Sequence, residues 1–304
     1  MMPANFSLIN GFASVAGSAM MLGLGLAVER AFRLSAAAKG YWVAIWLMAV
    51  VPTSLALALQ LVPAADASPI HALLPLPPAL NLVDIDGEAA GADAGPLPLI
   101  SWSTLLALVY VTGLISLSAK AVSEASNIRR IVRQTQPIDA TWLGPLTGQE
   151  ALQLYAKDVG LRMTRQSITP FAVSWPKPTI ILPEQAVTRF DDRALRLIIR
   201  HEAAHLAQRD PQRAAIMAGV GLIFWFNPFL RRVQARVQMA AELRCDCLAL
   251  ADDSAARPVL ARAHIETLKM NAARGGRMSV TALAHHDLRG HKVRLLHMLH
   301  GERA

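Results

Sequence analysis

Three apolar runs dominate the first 120 positions, over residues 10–28, 41–62 and 97–117, with few polar interruptions. Each is near the roughly 20 residues that a bilayer core requires, so the pattern predicts three membrane-spanning helices. Residues 63–96 are rich in Pro and Ala and read as a loop. From residue 118 the pattern changes. Residues 118–158 read as a helix-rich linker. Short apolar runs at 161–168, 171–175 and 179–182, punctuated by Pro170, Pro176, Pro178 and Pro183, predict strands. Helical periodicity then returns. One helix starts at a cap on Asp191 or Asp192 and runs to about residue 208. A second covers about 228–252 and a third about 256–273. Residues 274–304 are basic, carry several histidines and read as a terminal helix.

Charge orients this pattern. Arg30, Arg33 and Lys39 follow the first run, and Lys120, Arg129, Arg130 and Arg133 follow the third. The loop at 63–96 has no Lys or Arg but carries Asp66, Asp84, Asp86, Glu88 and Asp93. Basic loops stay in the cytoplasm. The expected topology is therefore N-terminus outside, acidic loop outside, and everything from about Lys120 onward in the cytoplasm. The first run has no Lys or Arg before it, which disfavours a cleaved signal peptide. Composition agrees: 53% of residues are hydrophobic and only 17% charged, greasier than an ordinary soluble domain. The net charge of +8 suits anionic lipid. No nucleic-acid-binding signature accompanies it, and direct nucleic-acid binding is not expected. Cys245 and Cys247, the two cysteines, are one residue apart and form no disulfide framework. They read as small apolar residues in a helix.

The candidate chemistry lies at His201-Glu202-Ala203-Ala204-His205. On a helix, positions i and i+4 share a face, so His201 and His205 can hold one zinc ion. Glu202 lies beside the first histidine, where it can act as the base that activates water for attack on a peptide carbonyl. The apolar neighbours Leu197, Ile198 and Ile199 make an exposed, idle histidine pair the weaker reading. A catalytic zinc usually takes a third protein ligand, and the best candidate is Glu242. Asp246 lies one turn beyond it and is a candidate to orient a ligand histidine. Arg244 and His264 are candidates to stabilise an oxyanion.

Residues 214–230 form a fourth apolar run. If it crossed the bilayer, His201 and Glu242 would lie on opposite sides. It is short for a span, and Asn227-Pro228 would break it. It reads as a membrane-associated helix that dips into the bilayer or packs against the spans and turns back.

Several pieces in this order resemble the BlaR/MecR-type regulatory membrane zinc metallopeptidases, the antirepressor signal transducers of beta-lactam resistance. They are Pro170-Phe171-Ala172-Val173-Ser174-Trp175 leading into Pro178-Thr179-Ile180-Ile181-Leu182-Pro183; the His201–His205 motif with Arg209-Asp210; Trp225-Phe226-Asn227-Pro228; and Glu242-Leu243-Arg244-Cys245-Asp246. The resemblance runs over about residues 95–300. It implies Zn2+ on His201, His205 and Glu242, and Glu202 as catalytic base; Asp246 and Asp210 are the candidates to support the ligands. Ser174 stands where the family often has glycine. Family sensors continue into a further span and an extracellular penicillin-binding domain. The sequence ends at Ala304 without them, so covalent sensing of a beta-lactam is not expected by that route.

The combined expectation is a mostly α membrane protein. Residues 1–120 would hold three spans and the outer loop, and residues 121–304 a cytoplasmic α+β zincin-like (gluzincin) domain. It would be a zinc endopeptidase of a cell inner membrane. Its substrate, bound extended along the strand hairpin, would be a cytoplasmic repressor or the chain itself, and a homodimer is the candidate assembly. The rival readings are a membrane quality-control protease and a non-enzymatic adaptor with structural zinc.

Overall fold

A computed structural model describes residues 8–32, 39–61, 102–138, 158–251, 253–272 and 288–300. The outer loop at 63–96, much of the linker at 139–157, and residues 273–287 lie outside the described residues.

The described chain is mostly helical. The first two apolar runs form α1 (Leu8–Ala31) and α2 (Lys39–Leu61). The third does not stop at residue 117. It continues through the polar sequence that follows as one helix, α3 (Trp102–Gln134). No proline or glycine interrupts residues 118–134, so nothing in the backbone stops the helix where its composition changes. Its 33 residues make it about 50 Å long. Among the described residues, the segment Thr104–Gln134 is the one helix long and apolar enough to cross a membrane. Leu108, Val111 and Ile115 on it are exposed, as lipid-facing side chains would be.

The linker also contributes a short strand that the pattern did not reveal, β1 (Gln136–Pro137). It joins β2 (Gly160–Thr164), β3 (Phe171–Val173) and β4 (Thr179–Pro183) in a four-stranded sheet of order β1-β2-β4-β3. β2 and β4 are parallel, β3 and β4 form an antiparallel hairpin, and β3 is an edge. The first predicted strand ends at Thr164, not 168. Thr164 Oγ1 accepts the backbone N–H of Gln166 and turns the chain out of the sheet.

β4 is buried along its whole length. Ile180 and Leu182 pack inward on the helices, while Ile181 points to the other face with Ile168, Phe171 and Ile131 of α3. This is the period of two that a strand imposes. The C-terminal half of α3 is thereby fixed to the outer face of the sheet.

After β4, the short helix α4 (Glu184–Arg189) leads to α5 (Asp192–Ala207). Asp191 caps α5, its carboxylate accepting the Ala194 N–H at 2.7 Å. α6 (Asp210–Ile223) and α7 (Pro228–Leu250) follow. A 3-10 turn at Ser254–Ala256 precedes α8 (Arg257–Ala272), and α9 (Leu288–His300) completes the described chain.

The fourth apolar run is thus two helices and a tight turn. Asn227 makes the turn. Its Oδ1 accepts the N–H groups of Phe229 and Leu230, each at 3.1 Å, which caps α7, and Pro228 takes the first helical position. Its Nδ2 donates to Ser18 of α1 at 3.0 Å, both groups being buried. Trp42, Ile45 and Trp46 of α2 pack with Met217 of α6 and Leu230 and Val233 of α7 in one core. Tyr110 of α3 donates to the Ile223 carbonyl at 3.0 Å. A side chain at Gly113 would meet the Trp225 ring at 2.5 Å, so this glycine permits the close approach of α3 to the hairpin tip. The tip is therefore held among the apolar helices, and α6 and α7 run from it back to the candidate site.

Candidate metal centre

α5 carries His201, Glu202 and His205 on its inner side. Leu195, Ile198 and Ile199 bury the same helix against β4, so the apolar stripe fixes the rotation of α5 about its axis. α7 crosses in front and brings Glu242. The Nε2 atoms of His201 and His205 are 3.1 Å apart, and each lies 3.6 Å from a Glu242 carboxylate oxygen. One ligand atom from each of the three residues falls within a 4.8 Å group.

The other ring nitrogens are also engaged. His201 Nδ1 lies 2.9 Å from Asp246, and His205 Nδ1 lies 3.0 Å from Asp210 at the start of α6. A carboxylate there holds the proton on Nδ1 and leaves the Nε2 lone pair facing the centre. Two such lone pairs at 3.1 Å, with a carboxylate beside them, repel unless a cation lies between. This donor set, two imidazoles and a carboxylate, fits a Zn2+ ion with a free coordination position. Cys245 is buried with its Sγ 3.4 Å from His205 Nδ1 and 3.6 Å from Asp210. It packs behind the histidine, and His205, Asp210 and Cys245 form a second group of adjacent donors.

One residue of this centre was not singled out by the sequence. Arg294 of α9 places Nη1 2.7 Å from Glu242, and its Nη2 and Nε contact the two Asp246 oxygens at 2.8 and 3.0 Å. The bidentate pairing is the strong geometry for a guanidinium. The available signal was the helical spacing of His291, Arg294 and Met298 on one face, but nothing local ties that face to residues about 50 positions earlier.

These charges set the protonation of the centre. Burial works against a charge on His201, but Asp246, with help from Glu242, pushes the imidazole up to about 10. Burial opposes ionisation of Asp246, yet Arg294 and His201 hold it at about 2. Burial likewise opposes Glu242, while Arg294 and the two histidines hold it well below the usual carboxylate range. Glu202 goes the other way: burial pushes it up, and the histidines only partly offset this. A carboxylate raised from its usual range beside a candidate metal centre is suited to accept and return a proton.

The centre opens into a cleft of about 1500 Å³. Glu202 and His264 lie in its wall, as does the edge strand β3. Burial and the Arg294 charge push His264 down to about 3, and its Nε2 has no hydrogen-bond partner among the described residues. It is neutral and faces the cleft, where it remains a candidate donor. Arg244 does not: it is exposed on α7 and is not among the residues that line the cleft. Helical periodicity explains this, since Arg244 is two positions from Glu242 and so on the far side of the helix.

If Asp246 and Asp210 orient the ligands, neutral amides there should weaken metal binding. Asp246→Asn and Asp210→Asn are each expected to lower Zn2+ affinity about 10–100-fold, read by competition with a chromogenic chelator. Unchanged affinity in both variants would remove the two aspartates from the centre.

Fold and site together define a class: a mostly helical protein with one long apolar helix among the described residues, whose cleft is lined by three converging donors that could hold a metal, beside a buried glutamate. A family model described as BlaR1 peptidase M56 matches residues 10–294, and the chain belongs to this peptidase family. It is similar to the methicillin resistance mecR1 proteins of Staphylococcus aureus, strain Mu50 / ATCC 700699, and of Staphylococcus epidermidis. Identity to each is 28% over 98 residues, which is 32% of this chain and 17% of the relative. The chain therefore aligns with well under half the length of these relatives.

Proposed function

We propose that the chain is a membrane-anchored zinc endopeptidase that cleaves a cytoplasmic protein, a transcriptional repressor or the chain itself, in signal transduction. The observation that carries this reading is the meeting of His201, His205 and Glu242 at the wall of an open cleft, with Glu202 beside them. A structural zinc would be closed off by a fourth protein ligand; these three donors face a cleft, which favours catalysis over the adaptor reading. Family membership supports peptidase activity. The mecR1 relatives, named for methicillin resistance, support a regulatory role.

In this mechanism His201, His205 and Glu242 would hold Zn2+. The bound ion would supply Lewis acidity, polarising a carbonyl and making water acidic enough to ionise near neutral pH. The protein's own groups do the rest. Asp246 and Asp210 keep the two imidazoles in the tautomer that turns Nε2 inward. β3 offers its free edge to an extended substrate segment. Glu202 accepts the proton of the attacking water and delivers it to the leaving amine. Arg294 keeps Glu242 and Asp246 ionised.

The proposed arrangement in the cell is an inner-membrane protein with its N-terminus outside and its peptidase part in the cytoplasm. Three spans (α1, α2 and α3) would anchor it, and α6–α7 would form a hairpin dipping among them. α1 and α2 both pack on that hairpin, which supports counting them with the anchor.

The test compares new protein N-termini, by terminal labelling and mass spectrometry, in cells expressing the wild type or Glu202→Gln. Termini found only with the wild type, dominated by one DNA-binding protein or by the chain itself, are expected. Identical sets of termini would remove the endopeptidase, and many unrelated membrane proteins would move the assignment to quality control.

A further inference from the structure

The cleft does not end at the metal centre. It continues along α7 toward the hairpin tip, over Gln238, Ala235 and Arg231. These positions lie four, seven and eleven residues before Glu242, the spacing of a single helical face. Arg232 and, across the cleft, Arg213 of α6 line the same extension. Gln234 donates to the Met217 carbonyl at 2.9 Å, which sets α6 against α7 and puts Arg213 about level with Gln238. Leu22 and Leu26 of α1 close one side.

The distribution of charge along this groove is uneven. Its four acidic residues, Glu202, Asp210, Glu242 and Asp246, all belong to the metal centre. Its far end holds only cations. Arg236 is 3.9 Å from Glu29 and lies over Trp42. Arg232 stacks over Phe229, at 5.2 Å from the ring centroid. Arg213, Arg231 and Arg232 have no acidic partner among the described residues and are exposed. Guanidiniums grouped in a groove with apolar walls attract an anion more strongly than the same groups on an open surface.

Resting on the peptidase reading, the geometry points to a specificity pocket for acidic side chains: Arg231 and Arg232 select substrates bearing Asp or Glu some residues away from the scissile bond. Helical rise puts Arg231 about 16 Å from Glu242. An extended peptide advances about 3.3 Å per residue, so the acidic residue falls about five positions from the cleaved bond. Guanidinium forks bind carboxylates through two parallel N–H donors, and Leu22 and Leu26 leave room for apolar residues between. An anionic phospholipid headgroup offers related chemistry. The peptide is favoured because the arginines continue the face of α7 that carries the metal ligand Glu242.

The experiment uses the full chain, loaded with Zn2+, in phosphatidylcholine nanodiscs. Internally quenched peptides carry one Glu, moved position by position on both sides of the cleavable bond, and are compared with the same peptides carrying Gln. Glu at about five residues from the cleaved bond is expected to raise kcat/KM about tenfold over Gln. In the doubly reversed variant Arg231→Glu, Arg232→Glu, the preference should move to Lys at the same position, an outcome a misfolded protein cannot give. An absent Glu preference in the wild type, or an unchanged one in the reversed variant, overturns the pocket. Binding of the same peptides to Glu202→Gln, read by fluorescence anisotropy, separates this inference from the enzyme reading. A Glu-over-Gln binding preference that depends on Arg231 supports the pocket even if no peptide is cut, which would count against the peptidase instead. Equal binding of both peptides, with arginine-dependent binding to phosphatidylglycerol nanodiscs, gives the arginines to the membrane and overturns the proposal.

Discussion

Glu202→Gln is expected to lower peptide hydrolysis by about three orders of magnitude while the protein keeps its metal. The amide has the shape of the carboxylate but cannot take a proton, and a positioned general base contributes about 10²–10⁴-fold. Glu202 is not one of the three converging donors, so His201, His205 and Glu242 remain to hold the ion. The substitution also suits the burial of Glu202, which already disfavours its charged form, so folding should survive. Turnover of a cleavable peptide and zinc content by atomic absorption are measured on the same preparation. Hydrolysis near wild-type rate would remove Glu202 from the chemistry. Loss of zinc together with activity would make it a structural element of the centre.

Arg294→Met is expected to destabilise the metal-free protein by about 3–5 kcal/mol, the usual cost of removing one partner from a buried ion pair. Asp246 is fully buried, and its two oxygens take both the Nε and Nη2 contacts of Arg294. Methionine fills similar volume but leaves that carboxylate and Glu242 with only the histidines as countercharge. The loss should shrink when Zn2+ is bound, because the ion supplies positive charge to the same carboxylates and stabilises the folded state by mass action. Denaturant unfolding in detergent, with and without the metal, reads both parts. A cost below about 1 kcal/mol without metal, or an equal cost in both states, would mean that Arg294 is not the electrostatic support of the centre.

The parts of the fold that depend on near neighbours were legible in the chain. α5 was read with its cap at Asp191 or Asp192, because capping needs only a side chain three residues from an N–H group, and the structure selects Asp191. The break at Asn227-Pro228 was read because proline cannot continue a helix; that Asn227 caps the next one came from the structure. Strands β3 and β4 were marked by flanking prolines. The end of the third apolar run was not legible: composition changes at residue 118, but helix continuity depends on backbone compatibility, which does not change there. β1 was missed because two residues, Gln136 and Pro137, carry no period, and only pairing with β2 makes them a strand.

The site divides in the same way. The pair His201 and His205, with Glu202 between them, needs only one turn of helix, so sequence alone determined that a metal motif was present and on which face. Glu242 and Asp246 were nominated by a one-turn spacing and a family resemblance, but their distance to the histidines depends on how α7 crosses α5. The tertiary structure decided that crossing through two apolar surfaces, one against β4 and one against α1 and α2. It also decided Arg294, which a segment outside the described residues separates from the rest of the centre, and the exclusion of Arg244 from the cleft. A charge in a buried site is specified by all the groups that surround it. The sequence states which residues carry charge; only packing brings distant ones within the few ångströms over which they act.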